Sequence, residues 1–210
     1  MEELLIVKCN EEGLIKASQM VRNGKVVVYP TDTVYGLGCD PYNAIAIKRL
    51  FEIKSREFKP LPVLFSSINI VKEIVELNEI GLKLASNFWP GPLTIVAKKI
   101  KALPEILTCG SDKIGVRIPN HDCARRLIEL CGGCLVGTSA NKSGLKSPRT
   151  PKEVLKVLGR CFDIMIDGGP TPLGKESTVI DITEKKLKVI REGAIKVSDL
   201  LKVLNQGAND

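Results

Sequence analysis

A chain of 210 residues with a single histidine, His121, has little room for histidine chemistry. A Ser-His-Asp relay would need that imidazole as its base, yet His121 stands in a polar turn ahead of a helical stretch. Capping or a local hydrogen bond is its expected duty. Rings are scarce too: one Trp, three Tyr and five Phe. That is a poor platform for stacking RNA bases. No apolar run approaches the ~18 residues of a membrane span, and Met1-Glu2-Glu3 lacks the positive start of a secretory leader. Neither a GxGxxG after a strand nor a Gly-Lys-Ser/Thr phosphate loop occurs, so Rossmann and P-loop sites are not expected. Internal repeats, linkers and low-complexity tracts are missing as well.

Seven cysteines stand at positions 9, 39, 109, 123, 131, 134 and 161. An odd number at this length suggests no disulfide framework, and a reducing, cytoplasmic setting is expected. Cys131-Gly-Gly-Cys134 has the spacing of half a zinc site, but no second pair follows and His121 precedes it. The pair closes a helical stretch and opens an apolar strand, whereas a redox pair wants its first Cys at a helix N-terminus. Buried small side chains are the expected role, and no metal-ligand set is assigned.

The rest is ordinary for a globular protein, at 44% hydrophobic and 26% charged residues. This length suits one domain, expected over 1–204, with a disordered tail at 205–210. A net charge of +7 favours anionic partners such as nucleotides, pyrophosphate or RNA, but it is spread along the chain and does not choose among them.

Short β-branched runs at Lys25–Tyr29, Leu61–Phe65, Leu93–Ala97, Ile114–Ile118, Leu135–Gly137, Phe162–Ile166, Thr178–Ile182 and Leu187–Ile190 read as strands. Helical spacing marks Leu14, Ala17 and Val21 before the stop at Gly24. It recurs over Ala44–Lys54, Ile70–Leu77, Gly81–Phe88, Cys123–Leu130, Lys152–Leu158 and Val197–Leu204, with Ser198 or a neighbour as the last cap. The class is α/β: one large twisted mixed sheet flanked by helices. Four residues between the last two strands are too few for a crossover, so these form an antiparallel hairpin.

Polar segments at strand ends carry the chemistry. Thr31-Asp32-Thr33-Val34-Tyr35-Gly36 is a ligand loop or a turn closed by its own side chains. Lys54-Ser55-Arg56 either converges on an anion or complements a helix dipole. Gly137-Thr138-Ser139-Ala140-Asn141 offers donors to phosphate or ribose, or caps a strand-to-helix turn. Arg117, inside Val116-Arg117-Ile118, is costly to bury alone and needs an anionic ligand or an internal ion pair.

In this order, with Trp89-Pro90-Gly91-Pro92-Leu93-Thr94, Ser177-Thr178-Val179-Ile180 and Arg191-Glu192-Gly193, these segments resemble the YrdC family of threonylcarbamoyl-AMP synthases, in its single-domain form. Each motif alone is weak, and the ordered set is specific. The resemblance implies an open, positively charged cavity. It implies that L-threonine, bicarbonate or CO2, and ATP with Mg2+ yield threonylcarbamoyl-AMP and pyrophosphate. A separate tRNA threonylcarbamoyl transferase complex would then modify the adenosine next to the anticodon. It assigns nucleotide binding to Lys54, Arg56, Ser139, Asn141, Ser147 and Arg191, with Lys54 and Arg56 catalytic. Thr31, Arg117, Thr138 and Ser177 fall on the threonine side, with Tyr35 and Lys59 as further contacts. Departures are Leu64, where some relatives carry histidine, and Ser55 and Glu57 flanking Arg56. Longer relatives carry a further C-terminal domain, for which this chain ends too soon. The rival reading is a double-stranded RNA or tRNA-binding module of the same fold, whose binding would be weak and salt-sensitive.

Overall fold

The computed structural model describes residues 4–55, 59–184 and 186–206. Its strands are β1 (Leu5–Lys8), β2 (Val27–Tyr29), β3 (Gly36–Gly38), β4 (Val63–Phe65), β5 (Val75–Glu76) and β6 (Leu93–Lys99). They continue with β7 (Lys113–Arg117), β8 (Cys134–Val136), β9 (Thr138–Ser139), β10 (Ile164–Asp167), β11 (Thr178–Asp181) and β12 (Lys188–Arg191). The helices are α1 (Glu11–Arg22), α2 (Ala44–Lys54), α3 (Ile68–Ile74), α4 (Glu79–Phe88), α5 (Glu105–Thr108), α6 (Asp122–Leu130), α7 (Pro151–Leu158) and α8 (Val197–Asn205).

Asparagines and a threonine start most of the longer helices by accepting an orphan backbone N–H. Asn10 does so for Gly13 in α1, Asn43 for Ala46 in α2, Asn78 for Gly81 in α4 and Thr150 for Glu153 in α7. His121 fills the same position in α6, its Nδ1 accepting from Ala124 at 3.4 Å, which is the local duty its sequence position suggests. The last helix begins after Lys196, not at Ser198, and the Glu192 carboxylate accepts from Val197 N at 2.9 Å. Asn205 closes α8 instead of opening a tail, and 207–210 lie outside the described residues.

All eight expected strands are present, and the expected α/β class with flanking helices holds. The single large sheet does not. The strands divide between a five-stranded sheet, ordered β1-β10-β2-β3-β9, and a seven-stranded one, ordered β12-β11-β6-β7-β4-β8 with β5 beside β6. Both are mixed: β1 and β10 run parallel while β2 and β3 run antiparallel, and β11 pairs parallel with β6 but antiparallel with β12. The last pairing is the expected hairpin. Val28, Leu37 and Met165 of the first sheet share one buried cluster with Val63, Phe65, Leu93, Ile95 and Val116 of the second. The two sheets are therefore halves of one domain.

Gly38 is needed where the halves meet. A Cβ there would stand 2.2 Å from the Val136 carbonyl oxygen and 3.0 Å from the Tyr29 ring. Tyr29 is fully buried, and its hydroxyl donates to Val136 O at 3.1 Å.

The cysteines depart from expectation at one point. Cys9, before α1, is disulfide-bonded to Cys123 in α6, with Cα atoms 6.0 Å apart. The expectation of no disulfide is thus overturned: the packing of α1 on α6 brings together thiols 114 positions apart. Cys131 and Cys134 form no disulfide, and burial raises their thiols to about 12 and about 11. Among the described residues no group of three or more His, Cys, Asp or Glu side chains is placed to hold a metal. No helix is long and apolar enough to cross a membrane, again among the described residues.

Candidate functional site

Between the two sheets opens a cavity of ≈ 520 Å³, within the size range of small-molecule sites. One wall comes from the loop between β2 and β3 and from β9: Thr31, Thr33, Tyr35, Thr138 and Ser139. The opposite wall comes from β4, β6, β7 and the β11–β12 hairpin: Leu64, Thr94, Arg117, Ser177 and Arg191. Lys59 and Lys113 line it as well, and Glu176 is the one acidic side chain among the described lining residues. The lining thus combines hydroxyls from both walls with cationic side chains.

The β2–β3 loop is held by its own hydroxyls. Thr31 Oγ1 donates to Val34 O at 2.7 Å, lies 2.9 Å from Thr33 Oγ1 and accepts from Thr33 N at 3.1 Å. The segment is thus a turn closed by its own side chains, and Thr31 also lines the cavity. Tyr35 anchors the loop from beneath: its hydroxyl donates to Gly169 O at 2.7 Å, and burial raises its pKa to about 12. It stays a neutral donor.

Arg117 realises the alternative left open by its sequence. Its Nη2 pairs with Asp32, Nη1 donates to Thr33 Oγ1 at 3.1 Å and Nε donates to Gly91 O at 2.9 Å. Burial works against its charge, and Asp32 supports it. The Trp89–Thr94 motif supplies one of these neighbours and a further lining residue. Gly91 presents its carbonyl to Arg117, and Thr94 lies across the cavity wall with its Oγ1 2.9 Å from Ser177 Oγ.

Lys54 does not line the cavity. It is buried, and its Nζ donates to the carbonyls of Ser139 and Asn141 and to Asn141 Oδ1 at 3.4 Å. The reading of Lys54 as a solvent-facing anion clamp is therefore corrected. It ends α2 on the same buried face as Ile47 and Leu50, which places its side chain against the 139–141 loop. Asn141 is likewise internal, with Nδ2 donating to Leu145 O and Oδ1 accepting from Ser139 Oγ at 2.6 Å. Ser139 alone of this trio lines the cavity. Arg56 lies outside the described residues. Ser147 and Arg191 meet at the rim, both bonded to Glu176.

A family model named for Sua5, YciO and YrdC, described as "Telomere recombination", matches residues 19–193. This chain belongs to that family. A threonylcarbamoyl-AMP synthase of Pyrococcus abyssi is 40% identical over 202 residues, covering 93% of this chain and 58% of its own length. A relative from Methanocaldococcus jannaschii is 38% identical, covering 93% of this chain and 94% of its own. Among solved structures, P. abyssi Sua5 complexed with L-threonine superposes with a TM-score of 0.90 at 37% identity, over 98% of this chain and 61% of that one. The chain thus spans under two thirds of the P. abyssi protein and nearly all of the M. jannaschii one.

Within this family member, sequence reasoning missed Thr94, Lys113 and Glu176. Thr94 stood inside a quoted motif, and its place in a strand flanking Ser177 was the available signal. Lys113 had none, being one lysine of many. Glu176 preceded the quoted Ser177, and no pattern distinguished it from a surface acid.

Proposed function

We propose that this protein is a threonylcarbamoyl-AMP synthase, joining L-threonine, CO2 or bicarbonate and ATP into threonylcarbamoyl-AMP with release of pyrophosphate. The observation that carries the reading is one cavity lined by both hydroxyl and cationic side chains on the fold of this family. Thr31, Thr138, Ser177 and the cavity edge of Arg117 would take threonine, with Tyr35 holding the loop. Ser139, Ser147, Arg191 and Lys59 would take the nucleotide, a role the family resemblance extends to Arg56. Lys54 and Asn141 would act through the loop they hold.

The chemistry is an acyl adenylation. The carbamate formed from the threonine amine is already anionic, so its oxygen attacks the α-phosphorus without a protein base. A new O–P bond forms as the bond to pyrophosphate breaks. Charge gathers on the phosphoryl oxygens and the leaving group, where fixed cations on a rigid frame stabilise it at little reorganisation cost. Positioning of the two substrates adds the rest. With one lining carboxylate already engaged by Arg191, the residues fit a magnesium ion held by the phosphates and not by a protein cage; when bound it would neutralise phosphoryl charge.

The test is pyrophosphate release by the full chain from ATP, with and without threonine and bicarbonate, in the absence of RNA. Release that depends on both is expected, and tRNA should stay unmodified until a separate transferase complex is added. Product formation that strictly required tRNA would instead favour an RNA-binding module. So would tRNA binding that persists at high salt, since binding through a +7 surface weakens steeply with salt.

A further inference from the structure

Both oxygens of Glu176 are engaged at the cavity rim. Oε1 accepts from Ser147 Oγ, and Oε2 pairs with Arg191 Nη1. Ser147 follows β9 of the five-stranded sheet, while Arg191 ends β12 of the seven-stranded one. The carboxylate therefore ties one wall of the cavity to the other.

Its frame is stiff. Glu176 O accepts from Ala194 N at 2.8 Å, and Gly193 passes so close that a Cβ there would stand 2.3 Å from that same carbonyl oxygen. Arg191 is held on its other edge, with Nη2 and Nε donating to Ser177 O at 3.0 and 3.3 Å. The carboxylate itself keeps contact with solvent, its side chain being 33% exposed.

The two donors that Glu176 holds, Ser147 and Arg191, are among those assigned above to the nucleotide. An entering anion thus meets a guanidinium already matched by an internal one. Selectivity of this kind comes from a repulsive element as much as from attraction.

We propose that Glu176 is a specificity-determining residue: an internal competitor anion that sets which ligands can occupy the Ser147–Arg191 subsite. The proposal rests on the nucleotide reading of that subsite. A nucleoside polyphosphate, anchored elsewhere in the cavity as well, displaces the carboxylate. Inorganic phosphate, which meets this subsite alone, does not.

The experiment is calorimetric titration of ATP, inorganic pyrophosphate, inorganic phosphate and L-threonine into the full chain and into Glu176→Gln. Glutamine keeps an acceptor for Arg191 and loses the charge. ATP and pyrophosphate are expected to bind the variant about fivefold more tightly, the scale of a partly exposed ion pair. Inorganic phosphate should gain at least as much, while threonine affinity stays unchanged. Equal or weaker ATP binding by the variant overturns the proposal and leaves Glu176 a holder of Arg191. A parallel change in threonine affinity also overturns it, because the effect is then on the whole cavity. If ATP binds neither protein, the nucleotide reading itself fails, and this inference with it. Should the variant not fold, carbon-13 NMR of the wild-type chain decides. The Glu176 carboxyl signal must move on saturation with ATP, and a signal that stays in place overturns the proposal.

Discussion

Arg117 and Asp32 form an ion pair at the cavity wall with both side chains almost fully buried. A buried pair of this kind adds little net stability, but removing one member strands the other charge. Asp32→Ala should therefore cost about 3–5 kcal/mol in denaturant unfolding. Arg117→Met should be costly too, and the double variant less so than the sum of the two. Additive losses would show that the two groups are not coupled.

Lys54 reaches the same cavity indirectly. Lys54→Ala strips a charged donor from the carbonyls of Ser139 and Asn141. It should lower stability by about 1–3 kcal/mol through the unsatisfied acceptors. It should also weaken ATP binding while leaving threonine binding close to normal. Unchanged thermal stability with lost turnover would instead restore the direct anion clamp.

His121 predicts a pH dependence. Burial lowers its pKa, against smaller opposing effects of Asp32 and Asp122. Its Nδ1 must also stay unprotonated to cap α6. A depressed folded pKa means that the unfolded chain binds the proton first. Stability is then complete above about pH 6.5 and falls as the pH drops below it. His121→Asn, which keeps a capping oxygen, should flatten the unfolding free energy over that window. A variant with the wild-type slope would move the effect to other groups.

Amino-acid choice tests the hydroxyls that line the cavity. Valine would leave the Ser177–Thr94 pair and Thr31 facing a methyl group, and sites built to bond a hydroxyl reject such analogues by ~10⁴ or more. Pyrophosphate release with valine in place of threonine should fall accordingly, and Ser177→Ala should narrow the gap. Equal use of the two amino acids would remove these hydroxyls from substrate recognition.

The eight strands legible in the sequence are those with β-branched runs. The four that were not are short or atypical. The strand at Gly36–Gly38 is Gly-Leu-Gly, a composition that weakens strands and is tolerated here because Tyr29 and Val136 crowd its Cα atoms. Leu5–Lys8, Val75–Glu76 and Thr138–Ser139 run two to four residues. The split into two sheets was illegible because pairing partners are set by crossovers, not by local pattern. Of the residues singled out in the sequence, Thr31, Arg117, Thr138, Ser139, Ser177 and Arg191 line the cavity, whereas Lys54 and Asn141 are packed behind it. Lys54-Ser55-Arg56 read as a motif hides that Lys54 falls on the buried face of α2 with Ile47 and Leu50. Arg117 was legible as a buried charge needing a partner, and Asp32 was already on the page.

The two walls of the cavity belong to sheets that share no ladder hydrogen bond. They are joined instead by side chains and single backbone bonds: Val136 N donates to Cys39 O at 3.0 Å, Tyr29 reaches Val136, Arg117 reaches Asp32 and Thr33, and Glu176 links Ser147 to Arg191. The width of the cavity is therefore set by side-chain chemistry and not by strand pairing, so substitutions at Asp32, Arg117 or Glu176 can alter it while every ladder stays intact.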